Sequence, residues 1–261
     1  VPAQLGAYYH DLQSGRTWSW NGEDDFPAAS VIKVPILLAV LRQAQLGLLQ
    51  LDQLQTVEFK HHVGGAGVIF ELHDGVKLQI QDLCRLMIVV SDNIASNLLL
   101  DIAGMDTVRA FMASAGMSST LLGRRFMENP RPGRDNRTTA LDMGRCLEAL
   151  VRGELLDKNH TNQALSILRR QQFREKIPLM LPTELSVAHK TGELEGVRHD
   201  VALVEIPDRP YVLSLLTRKG PVSWEVDKAL AQLSLEVYRW HLVQLGSGQG
   251  PGSTFARSLS L

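Results

Sequence analysis

The sequence has little of what would direct it to nucleic acid, a bilayer or a disulfide scaffold. Lysine and arginine number 27 against 28 aspartates and glutamates, a formal net charge of −1. That balance leaves no electrostatic footprint for nucleic acid or for an anionic membrane. No apolar run reaches the ~18 residues that span a bilayer; the longest, around Val34 to Leu41, contains Pro35 and ends at Arg42. Two cysteines give no disulfide framework. Cys84 and Cys146 both lie in apolar, helix-like stretches and read as buried free thiols. The Gly64 to Gly67 run fits neither G-x-x-x-x-G-K-[ST] nor G-x-G-x-x-G, so it is no phosphate cradle. His61-His62 has no third ligand at a metal-site spacing, so neither a metal nor a cofactor is expected. There is no internal repeat. The chain begins Val1-Pro2, with no signal-peptide pattern and no Met, which fits removal of a leader and a periplasmic or secreted location.

What is present suits a compact enzyme. A chain of 261 residues, 44% hydrophobic, has room for one large domain or two small ones. Leu5 to Leu12 and Thr17 to Trp20 read as strands around a turn at Gln13 to Arg16. A helix is expected from Ser30 to Leu46, stopped by Gly47. Further helices are expected at 80–90, 94–103 and 162–174, and at 140–151, where Thr139 caps and Gly153 stops. After Pro182 the period shortens. Leu185 to Thr191, Val197 to Ile206 and Tyr211 to Thr217 read as strands, and Trp224 to Leu245 as a closing amphipathic helix. Strands at both ends thus bracket a helical block. The predicted fold is α/β of the α+β type: one antiparallel sheet built from both termini (residues 1–29 and 183–245) with a flanking helix, beside an all-helical insert (30–182). The Gly/Ser-rich stretch 246–261 reads as a weakly packed tail. Trp18, Trp20, Trp224 and Trp240 read as packing residues of the sheet and its helix.

Three short motifs carry candidate chemistry. In Ser30-Val31-Ile32-Lys33 the i, i+3 spacing puts hydroxyl and amine on one helix face, at a helix N-terminus whose free N–H groups favour an oxyanion. A lysine accepts the serine proton only if burial or nearby cations lower its pKa. Taken alone, Ser30 reads as an N-cap and Lys33 as a surface residue, yet Pro35 and the apolar run Ile36-Leu37-Leu38 bury this helix. Ser91-Asp92-Asn93 joins two apolar helices. It is either a capped turn or a proton relay at Ser91 with Asn93 holding Lys33 and a substrate amide. Lys190-Thr191-Gly192 sits near a strand end, where Lys190 can bind a carboxylate and Gly192 lets a ligand approach the backbone.

In this order the motifs form the Ser-x-x-Lys, Ser-Asp-Asn, Lys-Thr-Gly set of serine β-lactamases and penicillin-binding proteins. The chain resembles class A β-lactamases, among the penicillin-recognising serine hydrolases, over nearly its whole length. Phe26-Pro27-Ala28-Ala29-Ser30 is similar to the run into the family nucleophile. Gly64 to Val68 and Leu86 to Ala95 are similar to its helical domain, and Arg198 to Ala202 to the strand after Lys-Thr-Gly. The resemblance implies a β-lactamase/transpeptidase-like fold and acylation of Ser30 by a β-lactam or a related amide or ester. It implies an oxyanion hole from the backbone N–H groups of Ser30 and Glu193. The expected partner is that small molecule, with the protein a monomer.

The departures bear on turnover. Class A enzymes place a catalytic Glu two residues after an Arg in the Ω-loop. Thr120 to Arg124 matches the lead-in, which puts Phe126 at the Glu position. The nearest carboxylate, Glu128, is either a base reached by a different loop path or a solvated residue beside Asn129-Pro130. The family Asp before the paired threonines, which bridges to the loop Arg, is replaced by Arg137. The family disulfide partner of the Cys84 position falls on Leu37, so no such bridge is implied. The expected function is a serine hydrolase that opens β-lactams and turns over slowly. The alternatives are a penicillin-binding or sensor-like module that stays acylated, and a carboxypeptidase- or esterase-type hydrolase.

Overall fold

The computed structural model describes residues 3–221 and 224–243. The chain opens with a hairpin of β1 (Gln4–Asp11) and β2 (Thr17–Trp20). A two-residue strand, β3 (Phe26–Pro27), leads into a 3-10 turn at Ala29–Ile32 and then α1 (Lys33–Gln45). Next come β4 (Leu54–Val57) and β5 (Val76–Gln79), which pair with each other. Three helices follow: α2 (Ile80–Val89), α3 (Asn93–Ala103) and α4 (Met105–Ser114). The short β6 (Arg137–Thr138) pairs with β3. It precedes α5 (Ala140–Val151) and α6 (Lys158–Leu168). The chain closes with β7 (Ser186–Leu194), β8 (Val197–Glu205), β9 (Tyr211–Arg218) and α7 (Trp224–Val243).

The five main strands make one antiparallel sheet in the order β2-β1-β9-β8-β7, so the N-terminal hairpin and the C-terminal meander share hydrogen bonds along β1–β9. The alternation of side chains across a strand divides the residues between two cores. Tyr8, Val201, Leu203, Val212 and Leu216 face the larger cluster with α1, α2, α3 and α5. Ala7, Tyr9, Ala202, Val204, Leu213 and Leu215 face a smaller one under α7. A sheet covered on both faces explains the unbroken apolar run Tyr211-Val212-Leu213. Helix α5 lies close against Tyr8, because a Cβ on Gly144 would stand 2.1 Å from the Tyr8 ring.

Several local expectations change. Ser30 stands in the 3-10 turn, and the α-helix proper starts at Lys33. The helix expected at 162–174 runs from Lys158 to Leu168, because Asp157 caps it by accepting from His160 N. Beyond Arg169 the backbone turns back: Gln172 N bonds to Val89 O, and Gln171 Nε2 to Ile88 O. Gly104, read as a stop, terminates α3 and also begins α4, which the sequence reading missed. The segment 30–182 is not all-helical, since it contains the β4–β5 hairpin and β6. Strand β7 runs on to Leu194 by pairing Leu194 with Val197, so Lys190-Thr191-Gly192 lies inside the strand. Trp18 and, from α7 itself, Trp240 pack against the smaller core cluster, whereas Trp20 and Trp224 are exposed. Cys84 and Cys146 are buried and free, and burial pushes both thiols up to about 12. The tail 246–261 lies outside the described residues, as does the end of the closing helix expected at Leu245.

Candidate active site

The apolar residues of α1 draw Lys33 inward with them, and its side chain is fully buried. A buried amino group needs hydrogen-bond partners. Lys33 Nζ donates to Ser91 O at 2.7 Å, to Asn93 Oδ1 at 2.9 Å and to Ser91 Oγ at 3.1 Å. From the opposite side Lys190 Nζ, also fully buried, donates to the same Ser91 Oγ at 3.1 Å and to Thr191 O at 2.8 Å. Two amines therefore converge on one hydroxyl. Burial, then the charge of Lys190, holds Lys33 well below the ordinary lysine range. Burial brings Lys190 down to about 7, while Asp200 opposes that fall. Both amines thus hold their protons less tightly than an ordinary lysine, which a proton acceptor for a serine requires.

The Ser91-Asp92-Asn93 junction is shaped for this. Ser91 has φ of 57°, a left-handed conformation that a non-glycine residue adopts at a cost. Asp92 caps α3 by accepting from Ala95 N at 2.9 Å, and its other oxygen accepts from Val68 N at 2.7 Å and Ile69 N at 2.9 Å. One carboxylate so pins the Gly-rich loop to the helix. Asn93 spans the two parts: Oδ1 accepts from Lys33, and Nδ2 donates to Gly64 O at 3.0 Å.

Ser30 is half-buried in the wall of a cavity of about 420 Å³, which Asn93, Phe126, Glu128 and Glu193 also line. Strand β7 lies against the Ser30 turn. A Cβ on Gly192 would come within 3.1 Å of Ser30 N and 3.1 Å of Ala29 Cβ, so any larger residue would push the two segments apart. That close approach sets the backbone of Glu193, the next residue, beside the same cavity. Thr191 points to the other face of β7, opposite Asp200, and its carbonyl rather than its hydroxyl receives Lys190.

The loop from Arg124 to Asp135 closes the cavity. Arg124 Nε donates to Asp135 Oδ1 at 2.7 Å. The expected loss of the Arg–Asp bridge is therefore corrected: the aspartate stands two residues before Arg137, because Arg137 and Thr138 are taken up in β6. Asn136 Oδ1 accepts from Gly123 N and Arg124 N, at 2.9 and 3.1 Å, and fastens the loop base. Phe126 is held at both ends of its peptide by Asn97, which accepts from Phe126 N at 2.9 Å and donates to Phe126 O at 3.1 Å. Its ring lies over Lys33, 4.5 Å from Nζ. Glu128 stands exposed at the rim; its Oε2 accepts from Arg125 N at 3.2 Å, and its carbonyl accepts from Arg124.

The structure thus joins Lys33, Ser91, Asn93 and Lys190 in direct contact, gathers Ser30, Asn93 and Glu193 around one cavity, and leaves Glu128 at its edge. Sequence reading missed Asn97, Asp135 and Asn136. Asn97 had a signal, since it stands one turn after Asn93 on α3. A serine in a cavity wall, two buried amines sharing the Ser91 hydroxyl, two abutting backbone segments and a closing loop are features that serine acyl transfer can use. The chain belongs to the β-lactamase enzyme family, whose match covers residues 1–241. A β-lactamase from Streptomyces fradiae is 31% identical over 244 residues, covering 87% of this chain and 78% of that one. The crystal structure of a β-lactamase from Sphaerobacter thermophilus superposes with a TM-score of 0.89 at 30% identity over 93% of both chains. A mutant of PBP-A, in an acyl-enzyme complex with penicillin G, superposes with a TM-score of 0.83 at 26% identity, over 91% of this chain and 89% of that one.

Proposed function

We propose that this protein is a serine β-lactam hydrolase that acylates readily and deacylates slowly. Ser30 Oγ attacks the lactam carbonyl as its proton passes to the neutral amine of Lys33. The backbone N–H groups of Ser30 and Glu193 receive the oxyanion. Ser91, bonded to both amines, relays a proton to the leaving lactam nitrogen, the C–N bond breaks, and an ester at Ser30 remains. Asn93 and Lys190 orient the substrate amide and carboxylate, with Thr191 and Gly192 shaping the strand edge. The observation that carries this reading is the convergence of Lys33 and Lys190 on Ser91 Oγ, each at 3.1 Å. The protein acts as a monomer on a small molecule, in a periplasmic or secreted location. No helix among the described residues is long and apolar enough to cross a membrane.

Deacylation needs a base that aims water at the ester, and a positioned base contributes ~10²–10⁴-fold. Phe126, above Lys33, has no acceptor atom and covers the amine with an apolar ring. That observation favours a second reading, a module that stays acylated, as the PBP-A mutant is in its penicillin G complex. A chromogenic cephalosporin separates the two. A burst of about one equivalent followed by steady hydrolysis marks the slow enzyme, and a burst alone marks the module. Intact mass should show one adduct on the peptide containing Ser30. An adduct that survives Ser30→Ala removes the proposed nucleophile.

A further inference from the structure

Behind the cavity lies a second charged cluster. Lys176, fully buried, donates from Nζ to Glu193 Oε1 at 2.6 Å and stands 3.4 Å from Asp227 Oδ1. Arg198 faces the same two carboxylates, with Nη1 3.6 Å from Glu193 Oε2 and Nε 3.5 Å from Asp227 Oδ1. The β7–β8 register pairs Glu193 with Arg198, so both side chains lie on one face of the sheet. Two cations meet two anions, but the partners are unequally held. Arg198 Nε and Asp227 Oδ1 are buried without a hydrogen-bond partner among the described residues. The short bond in the cluster is the one between Lys176 and Glu193. Glu193 is also the member that lines the cavity beside Ser30, and about half of its side chain is exposed.

The half-exposed side chain of Glu193, a residue of the cavity wall, therefore neutralises two cations that would otherwise attract an anion. A buried ammonium persists only beside an anion. Here the protein supplies that anion from the residue whose backbone N–H is assigned to the oxyanion. We propose that Glu193 sets substrate selectivity by filling, with its own carboxylate, the anion subsite of Lys176 and Arg198, so that a substrate carboxylate is left to Lys190 and substrates neutral at that end are accepted alongside. A carboxylate-bearing substrate meets a like charge on arrival, and it gains these cations only by displacing a tethered competitor of high effective concentration. This inference rests on the reading of Ser30 as nucleophile and goes beyond it by naming the substrate class.

The test compares a chromogenic cephalosporin with its methyl ester, read as the acid-to-ester ratio of kcat/KM for acylation. The full chain is used, at fixed ionic strength and below neutral pH. In Glu193→Gln the ratio should rise by about tenfold or more, as two charge-assisted donors become free. Adding Arg198→Gln should remove most of that gain, and added salt should shrink it by screening. Glu193→Ala makes the same comparison where Glu193→Gln does not fold. A ratio that stays within about twofold of the wild type in the folded variant overturns the proposal, since a freed cation pair cannot be indifferent to a carboxylate. Peptide mapping keeps the two readings apart. An adduct on Ser30 with an unmoved ratio sinks the role of Glu193 alone, whereas no adduct on Ser30 from either substrate sinks the nucleophile as well.

Discussion

The ring of Phe126 covers the amine of Lys33, its centroid 4.5 Å from Nζ, and Asn97 clamps the Phe126 peptide from both sides. The clamp fixes the backbone whatever side chain it carries. The ring at this point is therefore a choice of chemistry and not a consequence of loop shape.

Phe126→Glu would bring a carboxylate from the same clamped backbone to the amine. Hydrolysis of the acyl-enzyme should accelerate by ~10²-fold or more as a positioned base is gained. The burst seen with a chromogenic cephalosporin should merge into linear turnover. The counterpart is Glu128→Gln. Since the Glu128 carboxylate is exposed and accepts from Arg125 N, this change should leave both burst and slow phase within about twofold, well short of the loss of a general base. Loss of the slow phase in Glu128→Gln would make Glu128 the base. An unaltered slow phase in Phe126→Glu would show that water, not the base, is missing.

The two lysines give a pH profile. Lys33, held well below the ordinary range by burial and by the charge of Lys190, is the expected proton acceptor, and Lys33→Ala should abolish acylation. Lys190 loses its proton near 7, so its attraction for a substrate carboxylate is present below that pH and fades above it. The value of kcat/KM reports the free enzyme. For a carboxylate-bearing substrate it should fall along an alkaline limb with apparent pKa near 7, a property shared by the coupled pair. The methyl ester should lack most of that limb. Identical limbs for acid and ester would remove Lys190 from carboxylate recognition.

The same deprotonation affects stability. Between pH 7 and the ordinary lysine value of 10.5 the unfolded chain binds the Lys190 proton and the folded protein does not, so stability rises with pH across this window. The three motifs were legible because each combines a reactive residue with a partner at fixed spacing, and the sheet was legible because both its ends alternate or run apolar. The Lys176–Glu193–Arg198–Asp227 cluster was not, since its members come from three separate segments that only tertiary folding brings together. The β4–β5 hairpin escaped because 18 residues of loop separate its strands. The Arg124–Asp135 bridge was misread because β6 displaces the aspartate by two residues, and a strand that short has no pattern of its own.

Asn97 gives a structural test of the loop. Asn97→Ala would strand the N–H and C=O of Phe126, a residue only 8% exposed. An unpaired buried group costs about 1–3 kcal/mol. A lower denaturation midpoint should therefore accompany freer exchange of the Phe126 amide. The burst should survive, because Ser30, Lys33 and Ser91 do not depend on Asn97. Unchanged protection of the Phe126 amide in Asn97→Ala would show that the loop is held by Arg124–Asp135 and Asn136 alone.

His199 ties the sheet to the segment ahead of Ser30, and its chemistry predicts acid sensitivity. The ring is fully buried. Its Nε2 donates to Pro27 O at 2.7 Å and its Nδ1 accepts from Thr217 N at 3.0 Å, so the neutral Nε2–H tautomer satisfies both nitrogens. A second proton on Nδ1 would face the Thr217 N–H and break that bond. Burial accordingly lowers the pKa to about 4 from the ordinary 6.5. Between those values the unfolded chain takes up a proton that the folded protein refuses. Stability therefore falls as the pH drops from 6.5 and levels off below about 4. A shift of this size corresponds to about 3 kcal/mol. Denaturant midpoints measured across the window should trace that fall in the wild type. In His199→Gln the protein should be weaker at neutral pH and its pH slope flatter over the same range. An equal slope in both proteins would mean that other groups carry the acid response and that His199 is already charged in the fold.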